Sequence, residues 1–158
     1  MTKARQLGVH LFGRVRPAER VALGAWLTPR QLDLFDRMHR ADRRHGLDVV
    51  RHLRRAGVSD RDVLVAALLH DCGKGSAGAV PRVVHALAVA YGPRPRRVAA
   101  MIPGMATPLT RLERHAALSA ELAAAAGCSP RTVELIRWQE APRDEEFGRL
   151  LLLADEAS

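Results

Sequence analysis

Residues 63–69, VLVAALL, are seven consecutive apolar side chains that run directly into His70, Asp71 and, past Gly73, Lys74. A helix that is apolar on every side belongs inside a domain rather than on its surface. Its end is then interior too. A histidine and a carboxylate placed there cost several kcal/mol unless something satisfies them, and a divalent cation or a dense polar network are the two ordinary solutions. The chain repeats the arrangement near its end, where LLLLAD, residues 150–155, carries a second apolar run into Asp155.

The rest of the sequence predicts an all-α fold. Alternating β-branched runs are absent and helix punctuation recurs. TPRQLDLFDRM sets Thr28 as an N-cap before Pro29, a first-turn position where the missing N–H is harmless. The next helix spans about residues 42–56, burying Leu47, Val50 and Leu53 and ending at Gly57. Ser59 to Asp62 opens the buried helix in the manner of a capping box. PRVVHALAVAYG from Pro81 reads as a helix, and the proline-punctuated stretch after it as a short one between loops. A long Ala-rich helix is expected from about Leu109 to Ala126 with His115 inside it, then a capped helix after Ser129 and Pro130. The final helix has acids in its first turn. The expected architecture is a single bundle of seven or eight helices over residues 17–158, preceded by an N-terminal extension, residues 1–16.

Aromatic residues make up only 4% of the 158-residue chain, so Leu, Ala and Val must fill the core, and Trp138 is expected there. A formal charge of +8, mostly from arginine, favours acidic partners. Abundant Arg beside abundant Ala also describes solvated helix faces, so nucleic acid is not expected as the main partner. Cys72 and Cys128 are isolated, which indicates neither a disulfide framework nor a zinc knuckle, and Cys72 reads as a small buried hydrophobe. No signal peptide or membrane-spanning run is legible, and a cytoplasmic location without a membrane partner is the expectation.

His45, in DRRHGL on the helix that packs into the same core, completes a set with His70, Asp71 and Asp155. Imidazoles with carboxylates suit a first-row ion such as Mn, Fe, Co, Ni or Zn, whereas carboxylate oxygens alone tilt toward Mg. His10, His39, His52 and His85 are read as exposed or structural.

The order His45, then HDCGKG from His70, then a lone late Asp155 resembles the HD-domain superfamily of metal-dependent phosphohydrolases, in the form often called HDIG, with Cys72 where Ile or Val is usual. The resemblance spans roughly residues 29–158. It implies an HD-type helical domain in which His45, His70, Asp71 and Asp155 bind one divalent metal. Relatives with a second metal add histidines. His115 sits where one of these falls, but Trp138 and Gln139 stand where a later pair would be. One metal is therefore expected.

The expected reaction is hydrolysis of a phosphate ester of a nucleotide or small phosphorylated metabolite by metal-activated water. Lys74 and Arg44 are the candidates for holding the phosphate. Asp71 is a candidate proton acceptor and His115 a candidate donor to the leaving group. The alternative is a metal-binding sensor or scaffold without turnover.

Overall fold

A computed structural model describes residues 14–75 and 77–158, with Ala79, Ala86, Val89 and Ala90 described by their backbone alone. Residues 1–13 of the expected N-terminal extension, His10 among them, lie outside the described residues. The described residues form ten α-helices and no strand. In chain order these are α1 (Pro17–Leu23), α2 (Pro29–Arg37), α3 (Arg40–Arg55), α4 (Arg61–Leu69), α5 (Ala79–Tyr91), α6 (Arg94–Ala100), α7 (Ala106–Glu113), α8 (His115–Ala125), α9 (Pro130–Arg137) and α10 (Phe147–Ala157). A 3-10 turn, Cys72–Lys74, follows α4.

Helix α4 is the axis of the bundle. Every residue from Val63 to Leu69 is buried, and α3, α9, α10 and α2 pack around it. Phe35, Val49, Leu53 and Ile136 join this core. Helices α5, α6 and α7 form a second group, tied to the first where α7 leads into α8 and contacts the 3-10 turn. No helix among the described residues is long and apolar enough to cross a membrane.

Local chemistry accounts for the helix starts. Thr28 accepts from the Gln31 amide at 3.3 Å while the Gln31 side chain accepts from the Thr28 amide at 3.1 Å, a complete capping box. Ser129 accepts from the Thr132 amide at 3.1 Å. Gly57 ends α3 with φ at 86°.

Four expectations shift. The cap of α4 is Asp60, which accepts from the amides of Asp62 and Val63, so the start lies one residue later than the Ser59 reading. Helix α3 begins at Arg40 because the His39 ring accepts from the Ala41 amide at 3.3 Å. The acids near the end precede α10 instead of filling its first turn, with Asp144 accepting from the Phe147 amide at 2.7 Å. The long helix through His115 is two helices. His115 Nδ1 donates to the Leu112 carbonyl at 2.7 Å, a carbonyl that an unbroken helix would give to the amide of residue 116. That break and α1, which the sequence reading left out, raise the helix number above seven or eight.

Two close backbone approaches position the site. A Cβ on Gly46 would stand 2.6 Å from the Leu68 carbonyl oxygen, so α3 reaches α4 only because residue 46 lacks a side chain. A Cβ on Gly73 would strike the His115 carbonyl and the Ser119 amide, and the Gly73 amide donates to Ser119 Oγ at 2.8 Å. The 3-10 turn is thereby pressed onto α8.

Candidate metal centre

The α3 to α4 approach sets His45 beside His70, at the end of the buried helix, with ring centroids 5.3 Å apart. Helix α10 lies across α3 and brings in Asp155. His45 donates from Nε2 to Asp155 Oδ1 at 2.6 Å. His70 Nδ1 donates to the Ala67 carbonyl at 2.8 Å, which fixes the ring and leaves Nε2 aimed at the acids. That Nε2 is 3.1 Å from Asp155 Oδ1 and 3.5 Å from Asp71 Oδ1, without the alignment of a hydrogen bond to either.

Asp71 joins from the turn. Its Oδ2 accepts from Lys74 Nζ at 2.6 Å, and its Oδ1 lies 3.6 Å from His115 Nε2. His70 and Asp71 are almost fully buried, whereas the Asp155 side chain is 38% exposed and opens the group to solvent. The run before Asp155 differs from the one in α4: Leu151 is buried but Leu153 is exposed, so α10 is a half-buried helix.

Charge holds these groups in unusual states. Burial works to lower the His70 imidazole, but the Asp71 and Asp155 carboxylates overcome it and push its pKa up to about 9. Burial would raise Asp71. Lys74 first, then the His70, His45 and His115 rings, hold it well below the usual carboxylate range. Asp155 is held low against its burial by the adjoining His45 and His70 imidazoles. Burial pushes the Cys72 thiol up to about 12, as suits a small buried hydrophobe.

The residues fit a divalent ion. One atom from each of His45, His70 and Asp155 lies within 4.8 Å of the others. Among the described residues, His70 Nε2 and Asp71 Oδ1 are buried atoms without a hydrogen-bond partner, a condition that a cation relieves. Three of the four expected ligands therefore form one group. Asp71 stands outside that group of three, facing His70 and His115.

The other expected residues divide. Lys74 is at the centre, with its ammonium on Asp71. Arg44 is not available to a phosphate, because its guanidinium is bound to Glu19 at 3.1 Å and to Asp48 at 2.8 Å and is nearly buried. His39 is a helix cap, His52 is exposed, and His85 faces His115 with ring centroids 6.4 Å apart.

Trp138 is not core. Its indole N–H donates to Glu134 at 2.9 Å and the Arg143 guanidinium lies 3.5 Å over its ring. Two side chains escaped the sequence reading. Buried Gln139 donates to the His70 carbonyl at 3.1 Å, and exposed Glu140 approaches His115 Nε2 at 3.8 Å. The WQE triplet held both, but only the fold shows that they turn toward the histidines.

Compared with known proteins, the chain matches no protein-family model, no curated protein and no solved structure.

Proposed function

We propose that the chain is a cytoplasmic metal-dependent phosphohydrolase of HD type, acting on a phosphate ester of a nucleotide or another small phosphorylated metabolite. The observation that carries this reading is the grouping of His45, His70 and Asp155 donor atoms within 4.8 Å at the tip of an entirely buried helix, beside Asp71 and the partly buried ammonium of Lys74. His45, His70 and Asp155 would hold the ion, with Asp71 adjoining. A divalent ion bound there supplies an acidified water and positive charge for a phosphate oxygen.

The remaining steps belong to the chain. Ala67 fixes the His70 ring through its carbonyl, and Gln139 braces the His70 backbone. Lys74 keeps Asp71 ionised, so that its carboxylate can orient a water by accepting its hydrogen bond, and the Lys74 ammonium provides the positive charge that a transferring phosphoryl group requires. His115 Nε2 faces the same carboxylate and is the candidate donor to the leaving group. The exposed side of Asp155 and Glu140 gives the ester its approach.

A screen of nucleotides and sugar phosphates with Mn, Co, Ni, Zn and Mg tests the reading. Phosphate release should require the added ion, stop on chelation and be lost in His70→Ala and Asp71→Ala. A metal-loaded wild-type chain that releases no phosphate from any ester would leave a binding domain without turnover.

A further inference from the structure

Helices α5 and α6 carry a surface that the metal centre does not use. Val80, Val83, Leu87 and Tyr91, spaced by three and four residues, run along one face of α5 and are all exposed. Val98, Met101 and Ile102 continue the pattern over α6 and its C-terminal end. Tyr91 is 78% exposed and Met101 84%. Single exposed apolar residues are ordinary, but seven on two consecutive helices that pack together are a patch. His85, on the opposite side of α5, points toward His115, so this patch is the outward face of the helix.

The charge carried by α5 and α6 themselves has one sign. No Asp or Glu occurs between Asp71 and Glu113. Arg82 is tied to Asp42 at 2.7 Å and Arg96 to Glu113. Arg94 and Arg97 are exposed and have no acidic partner among the described residues.

We propose that the α5–α6 face docks onto an anionic lipid surface, with the apolar side chains among the acyl chains and Arg94 and Arg97 at the phosphate level. Apolar side chains flanked by arginine are what an interfacial helix presents to such a surface, and the long arginine stems keep their charge at the headgroups. A second copy of the chain fits less well, because α5 and α6 carry no acid to meet Arg94 and Arg97 of the other copy, and Glu113 beside them is already paired with Arg96. A partner helix fits less well because most of these side chains project by more than half, whereas helix recognition seats anchors in a groove.

Vesicle flotation tests the proposal with phosphatidylcholine vesicles, alone and with about one third phosphatidylglycerol. The wild-type chain should float with the anionic vesicles only. R94Q/R97Q should weaken partitioning about thirtyfold, and V98S/M101S about tenfold or more. R30Q/R55Q removes the same charge from exposed positions on other helices and should change it by less than about threefold. Circular-dichroism melts establish that each variant is folded. Absence of flotation, or equal losses in both arginine pairs, would overturn the proposal, as would full binding by V98S/M101S. So would a wild-type dimer in sedimentation that V98S/M101S dissociates, which would assign the face to a second copy.

Discussion

His45 and Asp155 lie 110 residues apart in sequence and meet through a 2.6 Å hydrogen bond between Nε2 and Oδ1. The contact closes α10 onto α3, so the candidate metal centre and the seating of the last helix are one structural event. An ion bound only by the folded chain stabilises it in proportion to its excess over the dissociation constant, by about 4 kcal/mol at a thousandfold excess. Mn2+ should therefore raise Tm by about 10 °C for a chain of this size. Asp155→Asn should remove most of that shift in the same scanning experiment.

Gly46→Ala tests the helix crossing that brings His45 to His70. The added methyl meets the Leu68 backbone, which cannot rotate aside as a flexible side chain would. A loss of about 2 to 3 kcal/mol in denaturant unfolding is expected, together with weaker ion binding, because α3 must move away from α4.

The pKa of His70 sets a pH dependence. Folding raises it from the ordinary 6.5 to about 9, so the metal-free chain holds this stabilisation in full below the lower value and loses it as pH rises through the higher one. Tm of the chelated protein should fall between about pH 7 and about pH 10. Ion binding displaces the same proton, so apparent affinity should rise over that window by up to about tenfold per pH unit. Calorimetry in buffers of different ionisation enthalpy reads the released proton directly.

Arg44→Ala separates a structural arginine from a substrate-binding one. Its nearly buried guanidinium joins Glu19 of α1 to Asp48 of α3, and removing it leaves both carboxylates to the more exposed Arg51 alone. A stability loss of about 2 kcal/mol is expected. KM for any phosphate ester turned over should stay within about twofold.

What was legible in the sequence is what short-range chemistry decides. The apolar circuit of α4, the Thr28 and Ser129 caps and the Gly57 stop each depend on a few neighbouring residues, and each is present. The four candidate ligands were legible because a buried helix running into a histidine and an acid demands an explanation, yet the same reasoning set Asp71 level with the others. Its backbone turn points Oδ1 between His70 and His115, and Lys74 claims Oδ2. The break before α8 depends on where the His115 ring turns, and the crossing at Gly46 on which backbone lies opposite. Neither has a local signature. Arg44 read as a free cation because its partner Glu19 sits in a helix that the sequence reading did not expect. Trp138 read as core on bulk alone, although Glu134 and Arg143 hold it at the surface.

The most direct test of the account is a calorimetric titration of the chelated wild-type chain with Mn2+ and Zn2+, beside His70→Ala. The wild type should take up one ion per chain, and His70→Ala, shown to be folded by its melting transition, should take up none. A wild-type chain that binds no divalent ion, or a His70→Ala variant that binds with undiminished affinity, would contradict the metal centre and the hydrolase built on it.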